Sequence, residues 1–376
     1  MRPLSFVQRN GRWRGGGRRL WVGTMPRRLL LSCLLVLLFV PSWSREPRLD
    51  LARIGPAAIT ARPVQLDPAD SLRDRIGALR YLGGVQLFGP DRTFSGFSGL
   101  AVAEVGKGAR ILTVSDGGVL ARFTLGRDWR ISDGWMGNLP AGPGDGWEKR
   151  ERDAEALAVE AGGGGQGSAN FGRVWVAFER ANALYRYDPT LTRAQASRRP
   201  RAMARWSPNS GPESLARDSR GNFVTFAEAD FSDDGRGTAA LWFRGDPAEV
   251  APAFAFRLRP PRGWLPVDAA FLPGGDLLVL LRRFSLADRG FASRLMRVAR
   301  ADIRTGASVR GRTLATLARP LIHDNFEGLA VTRREGRTIV WLISDDNQGW
   351  PQRTLLLAFA LEDAPTQKGP PRQREP

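Results

Sequence analysis

Ser98-Gly-Leu-Ala-Val102, Glu155-Ala-Leu-Ala-Val159, Glu213-Ser-Leu-Ala-Arg217, Asp268-Ala-Ala-Phe-Leu272 and Glu327-Gly-Leu-Ala-Val331 are five versions of one short segment. Their first residues stand 57, 58, 55 and 59 positions apart. Each opening is followed by a second apolar run: Ile111–Asp116, Val174–Glu179, Phe223–Glu228, Leu277–Arg282 and Val340–Asp345. A third run follows at Val119–Leu125, Ala183–Tyr187, Ala240–Phe243, Arg294–Val298 and Thr354–Leu361. Short β-branched and aromatic runs broken by Gly, Pro, Asp and Asn read as strands. Several such strands repeated at a fixed period predict an all-β fold, a β-propeller with one blade per repeat.

Blades one to four each offer an outer, fourth strand, at Trp129–Met136, Arg201–Trp206, Ala253–Leu258 and Arg312–Leu317. The fifth repeat lacks one, and Ala78–Phe88, ahead of the first repeat, supplies a candidate. Adding it to the last blade would remove an exposed sheet edge and tie the chain ends together. The expectation is five blades, with six as the rival count, over residues 78–362. Residues 45–77 read as a leader and the polar, proline-rich 363–376 as a disordered tail.

Residues 1–28 carry eight Arg and no acid, and Leu29–Val40 is an apolar run. That run is short of the roughly 20 residues that span a bilayer but suits the core of an export signal. Residues 1–44 therefore read as a basic extension and signal peptide, with Ser42-Trp-Ser44 as the cleavage region and periplasmic or secreted location as the result. The alternative is an uncleaved membrane anchor. Beyond residue 44 there remain 48 Lys and Arg against 38 Asp and Glu, three of the 48 being Lys. The Arg residues are scattered and no nucleic-acid module is present, which argues against nucleic-acid binding; the charge supports only a weak attraction to a small anionic substrate or a membrane surface, and a monomer is the expectation. The single Cys, Cys33, lies in the apolar run, so the exported chain has no disulfide, thiolate nucleophile or Cys metal ligand. His323 is the sole histidine, which excludes sites needing clustered imidazoles. The run Gly162–Gly167 lacks the Lys-Ser/Thr ending of a phosphate loop and reads as a flexible connection.

Antiparallel neighbours put the start of a first strand and the end of a second at one end of the sheet. This pairs Ser98 with Asp116, Glu155 with Glu179, Glu213 with Glu228, Asp268 with Arg283 and Glu327 with Asp345. First strands of a propeller line the central channel, so these carboxylates are expected at one channel mouth. Crowded like charges raise one another's pKa unless something compensates them. A hard cation such as Ca²⁺ would, and Asp116, Asp153, Glu155, Glu228, Asp324 and Asp345 are the candidate ligands. Arg pairing is the second answer, with Arg180, Arg282, Arg283 and Arg353 nearby. Carboxylate acid–base catalysis is the third, and Glu155, Glu213 and Glu327 are the candidates for it. Arg180, Arg282 and Arg283 are the candidate substrate-binding groups, since Arg clamps phosphate or carboxylate bidentately. Against all three stands a purely structural role, in which repeat-encoded acids bond main-chain N–H groups of the next blade. Gly96-Phe-Ser-Gly99 resembles part of a nucleophile elbow, but Leu100 replaces the last glycine and no helix follows.

Phe97-Ser-Gly-Leu-Ala101, Asp153-Ala-Glu-Ala-Leu157, Gly211-Pro-Glu-Ser-Leu215, Asp324-Asn-Phe-Glu-Gly-Leu-Ala330 and Trp341-Leu-Ile-Ser-Asp-Asp-Asn347 with Gln352-Arg-Thr-Leu-Leu356 resemble the bacterial family called esterase-like activity of phytase, a phytase-like propeller domain. The resemblance runs from about Leu79 to Leu361. It implies ester or phosphoester hydrolysis by an exported protein, with a calcium-dependent propeller phytase as a looser relative. The competing expectation is a non-catalytic propeller that binds a ligand or protein at its channel mouth.

Overall fold

Leu277-Leu-Val-Leu-Leu281 shows why these repeats stand side by side rather than alone. Leu277, Val279 and Leu281 pack into a core with the third repeat, and Leu278 and Leu280 into a core with the fifth. A sheet covered on both faces needs an apolar residue at every position, not at every second one. The same division recurs along the chain, giving five apolar cores, one between each pair of neighbouring sheets. The computed structural model describes residues 50–362 except 107, 145–147, 163–170, 229–236, 286–289 and 350. The expected signal peptide, most of the glycine-rich run and the expected C-terminal tail lie outside the described residues.

Five sheets follow one another in sequence, antiparallel except where Ser308–Val309 joins the edge of blade three parallel to Ala253–Leu258. Blade one holds Phe97–Val105, Gly108–Ser115, Val119–Gly126 and Ile131–Asn138. Blade two holds Ala154–Ala161, Phe171–Phe178, Ala183–Tyr187 and Ala194–Arg198, and blade three Ala216–Arg217, Phe223–Phe226, Thr238–Phe243 and Ala253–Leu258. Blade four holds Leu265–Phe271, Leu277–Ser285, Gly290–Val298 and Arg312–Leu317. Blade five holds Asn325–Arg334, Arg337–Asp345 and Leu355–Leu361, and Leu79–Phe88 completes it by pairing antiparallel with Leu355–Leu361. Each first strand touches the first strands of the blades before and after it, with blade five meeting blade one. The ring therefore closes at five.

Two expectations about strands are corrected. Arg201–Trp206 is not the outer strand of blade two: Arg201–Met203 forms a 3-10 turn after Pro200, with Met203 buried between blades two and three. The outer strand is Ala194–Arg198, whose small, half-exposed side chains carry no apolar signal. Glu213-Ser-Leu-Ala-Arg217 forms a ladder only at Ala216–Arg217: Pro212 makes an isolated bridge to Ala227, and the Phe226 N–H goes to the Ser214 hydroxyl at 3.0 Å instead of to a strand carbonyl. The leader contributes to the ring: Gly55–Pro56 extends blade one, and Thr60–Pro63 extends blade five. One four-residue helix, Lys149–Arg152, precedes blade two, and among the described residues no helix is long and apolar enough to cross a membrane.

Candidate active site at the channel mouth

In three blades the mouth end of the first strand carries one extra residue. Ser98 has no partner between the pairs Phe97–Ser115 and Gly99–Val114. Glu155 has none between Ala154–Phe178 and Ala156–Ala177, and Glu327 none between Phe326–Ser344 and Gly328–Ile343. These are β-bulges, which re-aim a side chain at the end of a ladder. In blade four the unpaired residue is Val267, one position before Asp268. A one-residue slip turns a side chain to the other face of the sheet. Asp268 is consequently 1% exposed, and it accepts the N–H groups of Ala269 at 2.8 Å and of Leu329, in blade five, at 2.6 Å. Burial raises its carboxyl well above the ordinary range, while these donors and the Leu215 N–H pull it back. Ser98 likewise ties blades together, its Oγ donating to the Ala154 carbonyl at 2.7 Å. Asp268 and Ser98 thus fit the structural role.

The remaining acids face a common opening. Asp116 is held by its own N–H to the Gly96 carbonyl, and a Cβ on Gly96, at φ +69°, would come within 2.7 Å of its carboxylate. Asp153 follows the short helix, its carbonyl accepting the Glu179 N–H at 2.8 Å. One carboxylate oxygen from each of Asp153, Glu155 and Glu179 lies within 4.8 Å of the others. Burial, then Asp153, Glu327, Asp116 and Glu179, push Glu155 well above the carboxylate range. Burial, then Glu155, Glu228 and Glu179, do the same to Glu213. Neighbours in blades one, two and five thus act on Glu155, and Glu155 in turn acts on blade three. Glu179 is pushed up to about 7 by burial and by Asp153, with which it shares a hydrogen bond. Such a bond between carboxyls requires a proton on one of them. Asp345 is pushed up to about 8 by burial, Glu327 and Asp116.

Two guanidiniums enter this group. Arg180 Nε donates to Asp153 at 2.8 Å. Arg282 donates to Glu228 at 2.7 Å, to Asn325 Oδ1 at 3.0 Å and to Glu327. Asn325 Nδ2 adds a bond to the same Glu327 oxygen at 2.9 Å. Burial raises the Glu327 carboxyl, and Arg282 and Asn325 hold it down. Arg282 stays firmly charged: burial opposes it, but Glu327, Glu228 and Glu213 outweigh that cost.

Asp116, Asp153, Glu155, Glu213, Glu228, Glu327, Asp345, Arg180 and Arg282 are therefore brought together. Asp324 and Arg283 are not. Asp324 turns to Arg353 at 3.3 Å, beside a cleft of about 490 Å³ lined by Pro63, Val64, Leu321, His323 and Arg353. Arg283, next to Arg282 on a strand, points to the opposite face and stacks on Trp264 at 5.0 Å, with Arg294 on the same ring at 4.2 Å. Asn325 and Asp346 stand in the blade-five stretches His323–Glu327 and Asp345–Asn347, which the sequence singles out without giving either residue a role. Asp346 accepts the Gly96 N–H at 3.1 Å and the Thr354 hydroxyl at 2.9 Å, joining blade five to blade one. Glu179 was recognised as a partner of Glu155 but not as a ligand, although its slot at the end of a second strand matches that of Asp116 and Asp345. An all-oxygen, partly buried acidic cluster of this kind could hold a hard metal ion, since Asp153, Glu155 and Glu179 present more negative charge than Arg180 offsets.

No curated protein sequence matches the chain. Solved structures resemble it only distantly. A gluconolactonase from Xanthomonas campestris is 12% identical, with a TM-score of 0.37, over 83% of this chain and 99% of that one. The Malassezia sympodialis allergen Mala s 1 is 13% identical, with a TM-score of 0.41, over 80% and 95%. A chain of a nidogen/laminin complex is 10% identical, with a TM-score of 0.38, over 82% and 100%. None of these likenesses informs the chemistry. The family described as phytase-like, esterase-like activity of phytase, matches residues 92–348, from the turn before the first repeat to the end of the acidic motif in the last. The chain belongs to that phytase-like family.

Proposed function

We propose that this protein is an exported, metal-dependent hydrolase of phosphate or carboxylic esters, working as a monomer on a small substrate and not on nucleic acid. The reading rests on one observation: Asp153, Glu155 and Glu179 bring carboxylate oxygens within 4.8 Å of one another, beside the Glu228 and Glu327 carboxylates that Arg282 ties together. Asp153, Glu155 and Glu179 would hold the cation, with Asp116, Glu228 and Asp345 around them, and the all-oxygen donor set favours Ca²⁺. When bound, such an ion polarises the ester oxygen and lowers the pKa of water.

The chain's own residues then divide the proton work. Hydrolysis adds water across the ester: its hydroxide joins the acyl or phosphoryl group, and the ester oxygen leaves with a proton. Two carboxyls whose surroundings push them apart can serve the two ends of this transfer. Glu327, bonded by Arg282 and Asn325, keeps the more ionised carboxylate and takes the proton from water. Glu213, 8% exposed and crowded by Glu155, Glu228 and Glu179, keeps its proton and gives it to the leaving oxygen. Glu155 acts with them by raising Glu213. Arg180 and Arg282 position carboxylates, because Arg180 is already bonded to Asp153 and Arg282 to Glu228 and Glu327.

The test is turnover of 4-nitrophenyl phosphate and 4-nitrophenyl acetate with Ca²⁺ and with a chelator. Expected is calcium-dependent release of nitrophenol from one ester class, reduced about 100-fold in Glu213→Gln and in Glu327→Gln. No turnover of either ester with calcium present would end the hydrolase reading and leave a ligand-binding propeller.

A further inference from the structure

The second and third strands of blade four run on past the carboxylates. Arg282 pairs with Leu265 on the innermost strand and with Ser293 on the third, and two residues beyond it Phe284 pairs with Phe291. Side chains two apart, and side chains directly opposite in a ladder, share a face. Leu265, Arg282, Phe284 and Phe291 therefore stand on one face of the sheet, within two residue steps of the channel mouth. Phe284 is 57% exposed and Leu265 37% exposed, and the two phenyl rings touch at 5.1 Å. The Arg282 guanidinium lies 5.8 Å from the Phe291 ring while bonding Glu228 and Glu327. One side chain thus joins the aromatic pair to the acids.

The charge at the mouth points the same way. A polyphosphate needs several cations to hold it. Of the candidate guanidiniums, Arg180 is bonded to Asp153, Arg282 to Glu228 and Glu327, and Arg353 to Asp324, while Arg283 faces away over Trp264. A substrate with many negative charges would meet Asp116, Glu155, Glu213 and Asp345 instead.

We infer that Leu265, Phe284 and Phe291 form a specificity subsite, and that the site takes a monoester carrying a bulky apolar or aromatic group rather than a polyphosphate. This rests on the hydrolase reading for the reaction, but the subsite itself is a binding claim and is tested separately.

Two measurements on the full chain with Ca²⁺ keep the claims apart. The first is equilibrium binding of 1-naphthylmethylphosphonate, which cannot be hydrolysed at an ester, to wild type, Phe284→Ala and Leu265→Ser. The second is turnover of 1-naphthyl acetate and 1-naphthyl phosphate against methyl acetate and inositol hexakisphosphate. Expected is phosphonate binding weakened about tenfold by Phe284→Ala, with the naphthyl-over-methyl preference in kcat/KM falling by a similar factor. Phe284 is largely exposed, so its loss leaves the fold intact, and Leu265→Ser checks the same subsite from another strand. Faster turnover of inositol hexakisphosphate than of naphthyl esters would overturn the substrate class and leave the hydrolase standing. Phosphonate binding that depends on Phe284, with no ester turned over, would support the subsite and remove the hydrolase. Binding indifferent to both substitutions would overturn the subsite.

Discussion

Glu155 and Asp268 open their repeats with the same chemistry and end in different places, because the bulge falls on Glu155 in one blade and on Val267 in the other. The consequences for stability are opposite. Asp268→Ala would leave the buried N–H groups of Ala269, Leu329 and Leu215 without their acceptor. Each such loss costs about 1–3 kcal/mol, so urea unfolding should show at least about 3 kcal/mol of destabilisation. Glu155→Gln removes a charge that its neighbours oppose, and in the presence of a chelator it should unfold at a higher urea concentration than wild type. A stable Asp268→Ala protein would contradict this division. The repeat alignment made Glu155 and Glu327 legible as candidate residues at the channel mouth. It mistook Asp268 for their equivalent, since a bulge shifted by one residue leaves no mark in an apolar pattern. Arg283 was legible in principle: alternation along a strand forbids Arg282 and Arg283 from facing the same opening.

At the scale of the element, the closing strand carries the ring. Leu79–Phe88 pairs with Leu355–Leu361 from Leu79 opposite Leu361 to Gln86 opposite Leu355, with one bulge at Leu82 between the pairs Tyr81–Phe359 and Gly83–Ala358. A Cβ on Gly83 would fall 2.2 Å from the Trp129 ring and one on Gly84 2.4 Å from Leu357, so the strand's two glycines admit close packing on both sides. Removing residues 1–88 should expose Leu355–Leu361 as an apolar edge and yield aggregated protein without a cooperative thermal transition. Removing 363–376 should move Tm by less than about 1 °C. A soluble 89–376 chain with wild-type Tm would refute the closure. This strand was legible because the fifth repeat lacked a fourth run and an unclaimed apolar run stood upstream. The outer strand of blade two was not, because an outer strand can be small and polar and still pair, as Ala194–Arg198 does.

For the whole molecule, the crowded acids make stability depend on pH in an unusual direction. Glu179 and Asp345 hold their protons to about 7 and about 8, whereas carboxyls in an unfolded chain release them near 4. Between those values the folded chain binds more protons than the unfolded one, so the stability present at pH 5 is lost as pH rises through 7 to 8. In chelator, Tm should fall by about 4 °C or more from pH 5 to pH 8.5, and Ca²⁺ should restore it at pH 8.5 far more than at pH 5. A Tm that climbs over this range without metal would mean the acids are compensated from within. The convergence of acids on one mouth was legible from strand register alone, whereas the identity of what they hold is a matter of charge balance that only the folded ring expresses. The central claim is that the acids at this mouth hold one cation, and calorimetric titration of Ca²⁺ tests it most directly. The account predicts binding in wild type, weakened at least about tenfold by Glu155→Gln and unchanged by Asp324→Asn, whose carboxylate belongs to Arg353. Absence of binding at millimolar Ca²⁺, or equal affinity in Glu155→Gln, would contradict it.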